Sequence, residues 1–149
     1  MDFPLTEGCL QAQRTDILLL AHAPLASAYA SMAADMGLAT SALMVFDMPP
    51  DMSREQAFAS VRMLVSDRRP QACLVLVDLG GGASPFAVAK MLQDSLGAQA
   101  RIVTGLNTPM LITALCHCQL DVEALARRAV QRGSDGIQAW PAVGPLSEA

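Results

Sequence analysis

His22 and Asp78 are the residues of this chain best placed, by type and position, to do chemistry. Each ends a short apolar run and stands just before a helix start. His22 follows the run from Ile17 to Ala21 and precedes Ala23 and Pro24. Asp78 follows the run from Ala72 to Val77; after it come Leu79, the glycines Gly80, Gly81 and Gly82, and then Ser84-Pro85. A carboxylate against one imidazole nitrogen fixes the tautomer and leaves the other nitrogen electron-rich, which makes the ring a nucleophile. Ser before Pro is a helix-start signal, and a helix N-terminus offers free N–H groups to anions such as phosphate. The spacing therefore points to a phosphate-handling site with Asp78 beside it. The bland alternative is a strand-end histidine satisfied by backbone and an aspartate that serves only a turn. Spacing alone leaves both open.

The two residues meet only if the intervening elements bring them together. Val- and Leu-rich runs at 16–21, 41–47, 72–77 and 101–105 read as strands buried on both faces. Between and after them lie helix patterns at 24–36, 53–69, 84–95, 107–115 and 122–132, with Gly37, Gly97 and Gly133 as stops. Ala28, Met32 and Met36 form the expected stripe of the first helix. Phe58, Val61, Met63, Leu64 and Val65 form that of the second, with Ser53 and Gln56 as a capping box. Residues 136–140 suggest a short last strand. The alternation predicts an α/β fold: an open, doubly wound, mostly parallel sheet of order 2-1-3-4 plus a short C-terminal edge strand, with helices on both faces. In that order strands one and three are neighbours, and their carboxyl ends place His22 beside Asp78. The expected division is an arm at 1–15, one domain at 16–140 and an irregular tail at 141–149.

Composition narrows the function classes. The chain has 149 residues, 52% apolar and 16% charged, with net charge −4, which suits one compact domain. Nine arginines and the single Lys90 form no basic stripe, so nucleic acid is not an expected partner. No apolar run is long enough to span a membrane. No basic-then-apolar leader precedes the first strand, and four scattered cysteines suit a reducing cytoplasm. Cys116-His117-Cys118 lacks a second ligand cluster, so no metal is expected. The glycine run lacks the dinucleotide and phosphate-loop spacings, and no cofactor is expected. A receiver-like signalling domain would need an acidic pair after strand one and a lysine after a later strand; His22 stands in the first place, and Lys90 lies in a helix.

Three ordered segments resemble the mannose-type enzyme IIA domain of the bacterial phosphoenolpyruvate:sugar phosphotransferase system. They are Leu18 to Ser27 around His22, Val75 to Phe86 around Asp78, and Val103 to Leu111 with its Gly105-Leu106-Asn107-Thr108-Pro109-Met110-Leu111 string. The likeness spans about residues 16–140. It implies a phosphotransferase working in sugar transport through a phosphohistidine: His22 accepts a phosphoryl group from phospho-HPr and passes it to an EIIB partner. Asp78 orients the imidazole, and Ser84 with Gly81 and Gly82 binds phosphoryl oxygens. It also implies a homodimer that exchanges its last strand. Two features depart from the family pattern. His22-Ala23 replaces His-Gly, as in a free-standing proteobacterial branch with regulatory members, and the glycine loop is one residue longer. The alternative is a non-catalytic dimeric regulator that has kept the fold. No Lys or Arg lies between Arg69 and Lys90, so neutral donors are expected to hold the phosphoryl group.

Overall fold

The computed structural model describes residues 14–147; the arm expected at 1–15 lies almost wholly outside the described residues. Four strands form one parallel sheet: β1 (Thr15–His22), β2 (Leu43–Met48), β3 (Ala72–Val77) and β4 (Ala100–Thr104). Their order is β2-β1-β3-β4, as the alternation predicts. The helices are α1 (Leu25–Asp35), α2 (Arg54–Arg68), α3 (Ser84–Leu96), α4 (Thr108–Cys116) and α5 (Val122–Asp135).

Two cores flank the sheet because alternate strand residues point to opposite faces. Ile17, Leu19, Ala21, Leu74 and Leu76 pack under α1, α4 and α5. Leu18, Leu20, Val75 and Val77 pack under α2 and α3. The first connection leaves β1 for β2 and the third leaves β3 for β4, in opposite directions across the sheet. Between the carboxyl ends of β1 and β3 lies the crevice where such sheets bind ligands.

Several local expectations are corrected. The fully buried residues of α1 are Ala26 and Ala33; of the expected stripe Met32 packs half-buried against the core, whereas Ala28 and Met36 are exposed, Met36 at 53%. Its innermost positions are alanines, with Tyr29 and Met32 packing at the margin of the same core. Met63 of α2 is exposed, and the buried line is Ala57, Val61 and Val65. Gly133 does not end α5: it lies inside it, where a Cβ would come within 2.8 Å of Met110 Cε. It is a contact glycine for α4, and the cap is Gly136.

Residues 136–140 form no strand. Ile137 and Trp140 are 77% and 95% exposed. A short run bounded by Gly136 and Pro141 has little stability of its own without a ladder partner. The sheet thus ends at β4, whose edge and α5 line a groove of about 530 Å³ that includes Ile102 and Val130.

Candidate functional site

His22 is the last residue of β1, and Asp78 is the first residue past β3. Parallel pairing of β1 with β3, in register from Thr15↔Ala72 to Leu20↔Val77, brings these ends together. His22 Nδ1 lies 2.7 Å from Asp78 Oδ2. The same oxygen accepts the His22 backbone N–H at 3.3 Å. One carboxylate oxygen thus holds both the main chain and the ring of His22, which fixes the imidazole's direction.

A carboxylate accepts and does not donate, so Nδ1 carries the ring hydrogen and Nε2 keeps its lone pair. The His22 side chain is 48% exposed and that of Asp78 is 12% exposed. Asp78 Oδ1 is buried without a hydrogen-bond partner among the described residues. A half-satisfied buried carboxylate stands out in a folded protein. Here it stands directly behind a solvent-facing imidazole. The two side chains are in contact, and Asp78 engages both the ring and the backbone N–H of His22.

Beyond Asp78 the chain makes a turn through Gly80, Gly81 and Gly82, with Gly81 at φ +69°. That value lies in the left-handed region, which suits glycine. Gly80 passes close to Thr104 at the end of β4, where a Cβ would meet the threonine side chain at 3.3 Å. Gly81 and Gly82 are exposed. Ser84 was expected to cap α3, but it is the first helical residue; Ala83 takes the cap position, with no side-chain cap bond. The first-turn N–H groups of Ser84 and Phe86 are consequently without intrahelical partners. His22 and Asp78 are in direct contact; Gly81, Gly82 and Ser84 follow Asp78 along the loop, and no hydrogen bond joins them to His22 among the described residues.

Sequence reading missed two residues. Arg54, the first residue of α2, donates from Nε to Ser84 Oγ at 3.4 Å and from Nη2 to the Gly82 carbonyl at 3.2 Å. The expectation of wholly neutral surroundings is thereby corrected. Proximity along the chain gave no sign of it, since Arg54 and Ser84 are 30 positions apart. Asp47 in β2 accepts the Ser27 N–H at 3.1 Å, capping α1 from a neighbouring strand in place of Pro24. The Asn107 of the third segment caps α4 through Met110 N–H, and its Nδ2 donates to Gly133 O at 2.8 Å. Its role is to clamp α4 to α5.

Cys116, His117 and Cys118 lie at the far end of α4, away from this crevice. His117 Nδ1 is 3.0 Å from an Arg128 nitrogen. Among the described residues, no group of three or more His, Cys, Asp or Glu side chains is placed to hold a metal ion.

The family model described as EIIA-man, PTS system fructose IIA component, matches residues 16–130. The chain belongs to the EIIA-man family. Solved structures share the EIIA-man fold at low identity. The phosphotransferase component EIIA from Streptococcus agalactiae superposes with TM-score 0.77 at 22% identity, covering 85% of this chain and 98% of its own. The mannose/sorbose specific IIA subunit from Enterococcus faecalis gives 0.76 at 23%, covering 91% and 98%. A sigma-54 interaction domain protein from Enterococcus faecalis gives 0.71 at 19%, covering 83% and 93%. No helix among the described residues is long and apolar enough to cross a membrane.

Proposed function

We propose that this EIIA-man domain is a histidine phosphocarrier in which His22 accepts a phosphoryl group from phospho-HPr and hands it to an EIIB partner. The observation that carries the reading is the 2.7 Å contact between His22 Nδ1 and Asp78 Oδ2, with the imidazole half exposed at the crevice between β1 and β3. In the step, the Nε2 lone pair forms a bond to phosphorus while the bond from phosphorus to the HPr donor atom breaks. The donor leaves with that electron pair. The ring becomes cationic as the new bond forms, and Asp78 across Nδ1–H balances the charge. Ser84, Gly81 and Gly82 are the proposed contacts for the phosphoryl oxygens. The uncapped first turn of α3 supports this, because its free N–H groups suit an anion. The place of work is the cytoplasm, where the phosphotransferase components meet.

The partner surface of the domain includes a second copy of itself. The open edge of β4, the groove beside it and the exposed apolar residues Ile137, Trp140, Val143 and Leu146 support a homodimer in which each tail covers its neighbour's edge. Light scattering should give a dimer at micromolar concentration, and a chain cut after Gly136 should lose it.

A regulatory rather than a transport output is a second reading, favoured by the likeness to the sigma-54 interaction domain protein. In its stronger form, a dimeric regulator without phosphotransfer, it is opposed by the His22–Asp78 pair. The decisive experiment is intact mass after incubation with phosphoenolpyruvate, enzyme I and HPr. A gain of one acid-labile, base-stable phosphoryl group, absent in His22→Ala, is expected. No gain, or a gain that persists in His22→Ala, would refute the assignment.

A further inference from the structure

Arg54 stands at the start of α2 and reaches across to the loop between β3 and α3. No salt bridge engages it among the described residues, so its charge is not neutralised by a carboxylate at contact distance. Its two hydrogen bonds have geometric consequences. The Ser84 hydroxyl accepts from Arg54 Nε, which leaves its own single hydrogen to be donated elsewhere. The Gly82 carbonyl is tied to Nη2. In a planar trans peptide the next N–H points the opposite way, so this tie also sets the direction of the Ala83 N–H. Arginine suits the task because its planar fork holds two acceptors at once, which a lysine ammonium does only loosely.

A phosphoryl group brings about −1.5 to −2 charges near neutral pH. A fixed cation at the loop lowers the free energy of the phosphorylated state more than that of the free state. We propose that Arg54 is a positioning residue that aims the Ser84 hydroxyl and the Ala83 N–H, and that its charge biases the phosphoryl equilibrium toward His22. The proposal rests on the carrier reading above and specifies how firmly the group is held. A carrier so biased retains its phosphoryl group against return to the donor. An exposed charge is worth up to about 5-fold in an equilibrium at low ionic strength, and salt weakens it.

The test measures, at equilibrium, the ratio of phosphorylated protein to phospho-HPr after limited radiolabelled phosphoenolpyruvate and enzyme I. Wild type, Arg54→Gln and Arg54→Lys are compared at low and high salt. Arg54→Gln should move the ratio about 5-fold toward phospho-HPr at low salt and less at high salt. Arg54→Lys should restore most of the ratio while the rate of transfer stays reduced, because charge returns and the two-point grip does not. Thermal melts of both variants should match wild type, since the Ser53–Gln56 capping box is intact. A slower rate with an unchanged ratio would mean that Arg54 only holds the loop, and would overturn the electrostatic proposal. A wild type that is phosphorylated normally, with both variants identical to it, would overturn the inference and leave the carrier reading standing. A wild type that takes no phosphoryl group would overturn both.

Discussion

The β1–β3 ladder has an aspartate at each end, and the protein treats the two in opposite ways. Asp16, at the start of β1, is 8% exposed and enclosed by arginines: Arg68 Nε lies 3.2 Å from Oδ2 and Arg14 Nε 3.7 Å from Oδ1. Arg68 also donates to the Ser41 carbonyl. Beside Asp16, Thr15 donates its N–H to Cys118 O and its hydroxyl to Leu120 O, each at 2.8 Å. Cys73, which pairs with Asp16 across the ladder, has its thiol pushed up to about 12 by burial and by that carboxylate, so it stays protonated and inert. At the other end Asp78 holds one imidazole with one oxygen and leaves the other without a partner among the described residues. A fully paired buried carboxylate fastens the fold; a half-paired one behind an exposed imidazole retains capacity for a changing charge. The helix α2 spans the two ends, with Arg68 at the closed one and Arg54 at the open one.

Substitutions at the two ends should separate rate from stability. Asp78→Asn keeps the shape and removes the charge behind the ring. The phosphorylation rate of His22 should fall by about 10- to 100-fold, in line with partners that orient metal-bound histidines, with little change in melting temperature. Rapid-quench kinetics with phospho-HPr would show it. An unchanged rate would mean that the open end is no more reactive than the closed one. Arg68→Ala should do the reverse. Leaving Asp16 with only the longer Arg14 contact should cost about 1–2 kcal/mol, discounted from a fully buried pair because Arg68 is 36% exposed. Denaturant melts would register the loss, and transfer kinetics should be unaffected.

The two serine-led helix starts give a finer test. Ser53 accepts the Gln56 N–H at 3.1 Å and the Gln56 side chain returns the bond, so the start of α2 is closed. Ser84 closes nothing at the start of α3. Ser53→Ala should cost about 1 kcal/mol without altering phosphorylation. Ser84→Ala should leave stability within about 0.5 kcal/mol and slow transfer several-fold. Equal stability losses in the two variants would show that α3 is capped in solution after all.

These contrasts show where sequence suffices. Strand order was legible because the apolar runs and helix punctuation repeat in βα units, and that order alone juxtaposes His22 and Asp78. The capping box at Ser53 was legible because it is local: both partners lie within four residues. Ser84 was misread as a cap because Ser-Pro gives the same local signal whether the hydroxyl turns back or outward; Arg54, 30 positions away, engages it. Asp47 as a cap for α1 and Gly133 as a contact for Met110 were hidden for the same reason, since each depends on a neighbour supplied by the fold. The last strand was expected from Ile137 and Trp140. Their apolar character shows a need for cover, but says nothing about which chain provides it.

The smallest expected effect lies at the closed end and involves His117. Burial lowers its pKa from the ordinary 6.5, and the charges of Arg128 and Arg132 push it the same way. Arg128 donates to His117 Nδ1 at 3.0 Å, a contact that needs the neutral ring. The native state therefore binds fewer protons here than the unfolded chain. By linkage, this contribution to stability is present above pH 6.5 and drains away as pH falls from there through the lowered folded value. Melting temperature should decline slightly as pH falls from about 7.5 to about 5.5, and His117→Gln should flatten part of the decline. Because His117 precedes Cys118, whose carbonyl takes the Thr15 N–H, hydrogen exchange at the Thr15 amide should speed up over the same window. A decline that persists undiminished in His117→Gln would place the acid sensitivity elsewhere and remove the histidine from the closed end's account.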